Sequence, residues 1–314
     1  LEDFMHRLLI PCLALGLVSF PASSPALSAD PAAEASQVRE RSWHTSLTTA
    51  RAEAAKQDKL IFVDLYADWC GWCRVLDRDV FSQPVFDGLA RKLVLVRLDV
   101  EDRGEGARAQ AHYGANALPT TLVLEPSGIL VGKVTGVEEP AAYVASIERQ
   151  IAMHRQVIGL YDQVVASRGE NVGSEQVTAL AEAFHKRGDG PRAAVLYRLL
   201  QDRLGATPPG SQDLEGRARL SFKLADAQRM AGEHESAART AARARDLASR
   251  KNDDSLVEAI DLLGIQIATE IGDCDRRRQS MQSFLKAHPE SRHHRRVESS
   301  LVALVTGTDG TGCS

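Results

Sequence analysis

The stretch IFVDLYADWCGWC, Ile61 to Cys73, decides how this chain folds. Together with Leu60, its first half is an apolar run interrupted by one charge, Asp64. A strand buried on both faces reads this way, because each face must meet an apolar layer. Cys70 and Cys73 follow, where a helix is expected to open. Amide N–H groups at a helix N-terminus carry partial positive charge, which favours thiolate over thiol at the first cysteine. The thiolate is the form that attacks disulfides. A structural zinc site needs four ligands, commonly two such pairs. Only one CxxC is present and the other cysteines are isolated, so no metal is expected. An inert bridge within the pair fits this position poorly.

Asp64 adds a second chemical element. Along the strand, Ile61, Val63 and Leu65 point one way, and Phe62, Asp64 and Tyr66 the other. Both faces read as buried, where a carboxylate is expensive unless paired or protonated. It stands six residues before Cys70, below the expected helix start. A buried carboxyl with a raised pKa can take the proton from the second thiol. The structural alternative is an aspartate bonded to a polar neighbour.

Outward from this stretch, a helix is expected from about Ser42 to Gln57. After the cysteines one helix is expected from about Cys70 to Arg91, then a second buried strand, LVLVRLDV, Leu93 to Val100. A short helix around Ala107 to Tyr113 leads to PTTLVLE, Pro119 to Glu125. The turn Pro126-Ser127-Gly128 opens a hairpin into ILVGKVTG, Ile129 to Gly136, and a helix starts near Glu138. The order β-α-β-α-β-β-α after an N-terminal helix implies a central mixed α/β sheet covered by helices on both faces. With 314 residues the chain has room for about two domains.

From about Glu170 the period changes. Val177, Leu180, Ala181 and Phe184 mark one apolar helix face, as do Ala193, Leu196, Tyr197 and Leu200, and Ile260, Leu263, Gly264 and Ile267. Turns of one type, Gly188-Asp189, Gly232-Glu233 and Gly272-Asp273, recur at spacings of 44 and 40 residues. The second region therefore reads as an all-α helical-hairpin repeat. It resembles tetratricopeptide repeats in LAEAFHKRGDGPRAAVLYRLL and FLKAHPES, but departs from their period and lacks most of their signature positions. An irregular helical bundle is the other reading.

The N-terminus reads as a signal. From Met5 a short basic start precedes an apolar run, Leu8 to Phe20, and small residues lead to Ala29. The run is short of the ~20 residues that span a bilayer. Export, to the periplasm in a bacterium, is expected; an uncleaved membrane anchor is the alternative. The expected segments are a signal peptide at 1–29, a flexible linker at 30–41, an α/β domain at 42–155, a helical repeat domain at 156–306 and a tail at 307–314. Cleavage removes Cys12 and leaves Cys70, Cys73, Cys274 and Cys313, an even number in an oxidising compartment. Cys274 and Cys313 are candidates for a structural disulfide.

The residues around the CxxC carry a resemblance. IFVDLYADWCGWC is similar to the active-site strand and turn of the thioredoxin superfamily. DWCGWCRVLDRDVFSQPVF resembles the exported thioredoxin-like branch that includes the C-terminal domain of the reductase DsbD. The resemblance covers roughly Ser42 to Arg149. It implies that Cys70 is the nucleophile, Cys73 the resolving cysteine and Asp64 the buried aspartate. It also implies that Leu118-Pro119-Thr120 is a cis-proline loop, and Gly136 matches a glycine late in the family's sheet. Trp72 replaces the proline between thioredoxin's cysteines, and Arg97 stands where thioredoxin has a lysine.

Held opposite the cysteines, the Leu118 backbone can pair with an extended substrate strand. Substrate contact is thus expected from Trp69, Gly71, Trp72, Leu118 and Pro119, with Trp69 partly buried and Trp72 exposed. Gly71-Trp72 holds no cation of the kind that would stabilise the thiolate as strong oxidants do, so disulfide reduction is expected. A disulfide oxidase or isomerase would use the same residues. A reading of a different class is a protein-binding scaffold whose helical repeats recruit partners. No flavin or nicotinamide fingerprint occurs, so no cofactor is expected. The expected partners are protein thiols or disulfides, a protein electron donor, and a protein on the helical repeats. The net charge of −4 gives no push toward nucleic acid.

Overall fold

The computed structural model describes residues 42–205, 213–308 and 310. The expected signal peptide 1–29, the linker 30–41 and the end of the tail, including Cys313, lie outside the described residues.

The chain enters as an extended segment in which His44 bridges Val96. It then forms α1 (Leu47–Gln57), β1 (Leu60–Tyr66), α2 (Gly71–Leu76), a π-helical turn (Asp77–Phe81), α3 (Pro84–Ala90), β2 (Leu93–Asp99), α4 (Glu105–His112), β3 (Thr120–Leu124) and β4 (Leu130–Thr135). The strands lie in the order β2-β1-β3-β4. β1 runs parallel to β2 and antiparallel to β3, and β4 is antiparallel to β3. This is the central mixed sheet that the order of strands and helices implies, in the thioredoxin-like form that the resemblance implies.

Two expected helices differ. The first begins at Leu47, capped by Ser46, because the segment before it pairs with the edge of β2. The helix expected over 70–91 breaks at Ser82-Gln83. Gln83 is extended because the ring of Pro84 disfavours helical geometry in the residue before it.

The alternation along β1 splits the core as its sequence implies. Ile61, Val63 and Leu65 join Val94, Val96, Leu98, Leu122 and Leu124 under α1 and α4. Phe62 joins Phe81, Phe86, Leu95, Val123, Tyr143 and Ile147 on the other face. There the Phe62 ring lies 5.3 Å from Phe86 and 5.7 Å from Phe81, both edge-on.

A 27-residue helix, α5 (Pro140–Ala166), follows the sheet. Its first turns bury Tyr143, Val144, Ile147 and Ile151 against the sheet. Its last turns pack Val157, Ile158, Tyr161 and Val164 into the helical region. The expected boundary at residues 155–156 falls inside this helix, so no linker separates the two regions.

The helical region consists of α6 (Ser174–Lys186), α7 (Gly190–Gly205), α8 (Leu214–Met230), α9 (His234–Ser249), α10 (Asp254–Ile271), α11 (Cys274–Ala287) and α12 (His294–Val305). Each packs against the next. Gly188, Gly232 and Gly272 all have left-handed φ, of 80°, 77° and 76°. That conformation closes a helix at no steric cost only when the residue is glycine. Side chains of successive hairpins pair at a separation of 41 residues: Glu182 with Lys223, His185 with Asp226 at 2.9 Å, Arg229 with Glu270 at 2.6 Å, and Glu235 with Arg276 at 3.2 Å.

A buried charge cluster joins the two regions. Arg192, in the first turn of α7, donates to both oxygens of Glu125, at 2.8 and 3.2 Å, and to Asp189 at 2.5 Å. His154 of α5 places Nε2 3.1 Å from Glu125 Oε1, and Arg187 places Nη2 2.9 Å from His154 Nδ1. Arg187 can only donate, so Nδ1 accepts and the proton sits on Nε2. Burial opposes ionisation of Glu125, but the hydrogen bonds from His154 and Arg192 outweigh it and bring its pKa down to about 2. Glu125 follows β3, whose Leu124 pairs with Ile61 at the start of β1. The helical region is therefore fastened at the end of the sheet opposite the cysteines.

Candidate active site

The C-terminal end of β1 positions the cysteine pair. Cys70 N–H donates to Ala67 O at 3.0 Å, closing the turn after the strand. Cys70 is the N-cap of α2, and Cys73 N–H donates to Cys70 Sγ at 3.1 Å. The two sulfurs are joined in a disulfide. The Cys73 N–H belongs to the first turn of α2, where the backbone amides carry partial positive charge, and it is directed at Cys70 Sγ.

Cys70 and Cys73 are 4% and 3% exposed, yet Trp69 and Trp72 beside them are 68% and 67% exposed. The expected partial burial of Trp69 is therefore corrected. Strand alternation ends at Tyr66, and the turn over Ala67 directs Trp69 to solvent. Arg74 Nη1 donates to Asp68 O at 2.7 Å and ties that turn to α2. Gly71 opens α2, and a Cβ there would meet only Arg74, at 3.9 Å.

The cis-proline loop lies beside the pair. The Leu118–Pro119 bond is cis. Thr120 pairs with Leu65 at the end of β1 that leads to Cys70. Leu118 packs against the same apolar cluster as Cys70 and Cys73. Pro119 O accepts from Gly136 N–H at 2.9 Å.

Asp64 is 1% exposed and faces Arg97 across β2 and Thr121 across β3. Arg97 Nε lies 2.9 Å from Asp64 Oδ2, a one-point ion pair in which the N–H is poorly aligned with the oxygen. Burial raises the Asp64 carboxyl to about 7, against the opposing charge of Arg97. Arg97 is itself held by Asp77, to which Nη2 donates at 2.8 and 2.7 Å. Its guanidinium also sits 4.6 Å from the Tyr66 ring centre and 5.9 Å from that of Trp43. Below Asp64, Thr121 and Tyr143 share a hydroxyl hydrogen bond, and burial raises the Tyr143 phenol.

Cys70, Cys73, Trp69, Gly71, Trp72, Leu118 and Pro119 thus gather at one end of the sheet, with Asp64 in the strand that leads there. Cys274 opens α11 in the helical region and belongs to no part of this site. Sequence reasoning placed Arg97 near Asp64 but missed Asp77. Its only signal was an acid four residues after Cys73. Among the described residues, no group of three or more His, Cys, Asp or Glu side chains could hold a metal ion. Among them, too, no helix is long and apolar enough to cross a membrane.

A family model described as thioredoxin-like matches residues 42–126. Thioredoxin of Echinococcus granulosus is 35% identical over 89 residues, which cover 27% of this chain and 74% of that protein. The chain belongs to the thioredoxin family through this region. The thiol:disulfide interchange protein DsbD of Pseudomonas fluorescens is 30% identical over 95 residues, 27% of this chain. The match spans 16% of the length of that relative. Among solved structures, the oxidised C-terminal domain of DsbD from Neisseria meningitidis is 22% identical. It covers 35% of this chain and 99% of that domain, with a TM-score of 0.32.

Proposed function

We propose that this chain is an exported thiol–disulfide oxidoreductase that reduces protein disulfides. The observation that carries the reading is the Cys70–Cys73 disulfide at a helix start, with the Cys73 N–H directed at Cys70 Sγ. In the reduced protein the Cys70 thiolate attacks one sulfur of a substrate cystine. A Cys70–substrate S–S bond forms, the substrate S–S bond breaks, and the leaving sulfur takes a proton from solvent. Cys73 then gives its proton to the Asp64 carboxylate, and its thiolate attacks Cys70 Sγ. The Cys70–Cys73 bond forms and the second substrate thiolate leaves. Two electrons have passed from the dithiol to the substrate, and a protein dithiol donor restores the pair by the reverse exchange.

Trp69, Gly71 and Trp72 form the rim on which a protein substrate rests, and the backbone of Leu118, before Pro119, pairs with its extended segment. The reductive direction is supported by the absence of any cationic side chain at Gly71 and Trp72. Export is supported by the signal layout at 1–29, with the tail bridge between Cys274 and Cys313 following from an oxidising compartment. The helical repeats, fastened at the far end of the sheet, leave the disulfide end open and serve as a docking arm for a protein partner. A scaffold without redox activity is the second reading, and the intact Cys70, Cys73, Asp64 and Pro119 weigh against it.

The test is reduction of insulin disulfides by the mature chain with a dithiol donor. Turnover that disappears in Cys70→Ser is expected. Equal rates in the two proteins, or no turnover with any thiol donor, would refute the enzyme.

A further inference from the structure

Asp77 is an acid that no part of the proposed chemistry uses, yet it decides where Arg97 points. A guanidinium beside a single carboxylate tends to pair with it through two parallel N–H bonds. Arg97 does not do this with Asp64. Its Nη2 donates to both oxygens of Asp77, leaving Nε 2.9 Å from Asp64 Oδ2 without hydrogen-bond alignment. The rings of Tyr66 and Trp43 flank the guanidinium.

We propose that Asp77 is a positioning residue for the resolving step: by holding Arg97 Nη2, it keeps Asp64 beside a cation but out of a bidentate pair with it, and so preserves Asp64 as a base for Cys73. The proposal rests on the proton-transfer role given to Asp64 above. A carboxylate satisfied by a bidentate arginine is a weak base, since both the charge and the hydrogen bonds stabilise its ionised form. A carboxylate with no nearby cation, buried as this one is, would stay protonated at neutral pH and accept nothing. The tethered arginine sets the state between these limits.

The groups that face Asp64 are few. β2 contributes Arg97, the π-helical turn contributes Asp77, α5 contributes Tyr143 through its bond to Thr121, and β1 itself contributes Tyr66. Tyr143 is raised by burial and stays neutral throughout the range of interest. Asp77 acts on Asp64 in two ways with one sign. Its negative charge disfavours a second carboxylate nearby, and its grip on Nη2 denies Asp64 the second bond of a bidentate pair. Loss of Asp77 should therefore make Asp64 more acidic, and loss of Arg97 should make it less so.

The experiment is a titration of the Asp64 carboxyl by 13C NMR in the oxidised full chain, paired with the pH profile of the resolving step in the reduced chain. Asp77→Ala is expected to move the Asp64 midpoint down by about 1 unit or more, within the range an arginine imposes on a paired aspartate. Arg97→Leu is expected to move it up. The inflection of the resolving step should follow both shifts. In an Asp64→Asn background, Asp77→Ala should move nothing further, because coupled residues are non-additive and the coupling is then absent. Asp77→Asn, which keeps the size of the side chain, supplies the same measurement if the alanine variant does not fold. An unmoved Asp64 midpoint in the folded Asp77 variants would overturn the proposal, as would resolving rates lowered equally at every pH. Failure of the parent reading looks different: Asp64→Asn would leave the inflection of the resolving step in place.

Discussion

Two buried carboxylates, Asp64 within β1 and Glu125 just after β3, are treated in opposite ways. Asp64, near the disulfide end, meets a single poorly aligned contact from Arg97 and has its pKa raised to about 7 by burial. Glu125, at the far end, is bonded to Arg192 and His154 and lies at about 2. Burial opposes ionisation at both. The difference is hydrogen bonding: a buried charge is tolerated when donors surround it and resisted when they are turned elsewhere. The far end is therefore a structural fastening, and the disulfide end keeps a carboxyl poised to exchange a proton near neutral pH.

The largest effect that could break this comparison is at the fastening. Arg192→Ala leaves Glu125 and Asp189 buried without their shared cation. A loss of about 3–5 kcal/mol in urea-unfolding stability is expected, as for other buried pairs broken on one side. Insulin reduction by the folded fraction should not change, because the disulfide lies at the other end. A small loss of stability would mean that the cluster is solvated and not a fastening.

The two carboxyls should next reveal themselves through pH with opposite signs. Glu125 is depressed from its ordinary 4.5, so its contribution is present above that value and lost as pH falls toward about 2. The loss is on the order of 3 kcal/mol and should be missing from the acid limb of Glu125→Gln. Asp64 is raised from 3.8 to about 7, so its ionisation costs stability as pH rises through that interval. Asp64→Asn should therefore stabilise the oxidised chain at pH 9, again on the order of 3 kcal/mol, and leave it unchanged at pH 3.5. A stabilisation that is the same at both pH values would show that Asp64 is not titrating there.

The smallest stability effect belongs to the indoles. Trp69 and Trp72 are solvent-exposed, so alanine at either should shift stability by no more than about 0.5 kcal/mol. Insulin turnover should nonetheless weaken severalfold through KM. Unaltered KM in both variants would remove the tryptophans from the substrate surface.

The thioredoxin-like half of the fold was legible because its signals are local. The apolar run of β1, the CxxC after it and Pro119 before β3 each lie within one short segment, and the sheet assembles them in the expected order. The glycine turns of the helical region were legible for the same reason, each carrying the left-handed residue that ends a helix. What escaped depended on contacts between distant segments. Trp69 was misplaced because its exposure is set by the turn that Cys70 N–H closes on Ala67 O, a path the residue types around the CxxC do not display. Glu125, His154, Arg187, Asp189 and Arg192 are scattered over two helices and two connections, and nothing in their spacing shows that they converge. Asp77 carries no local signal, because its partner Arg97 lies 20 residues on in a different element. The junction at α5 was hidden because an apolar helix face looks the same whether it covers a sheet or other helices.

The central claim is that the two sulfurs of the pair are unequal, with Cys70 the nucleophile. Alkylation of the fully reduced chain by iodoacetamide, followed across pH and located by peptide mass spectrometry, tests it most directly. The account predicts that Cys70 reacts with a midpoint well below the ordinary thiol value of about 8.5 while Cys73 stays unmodified over the same interval. Equal modification of Cys70 and Cys73 with an unshifted midpoint would contradict it.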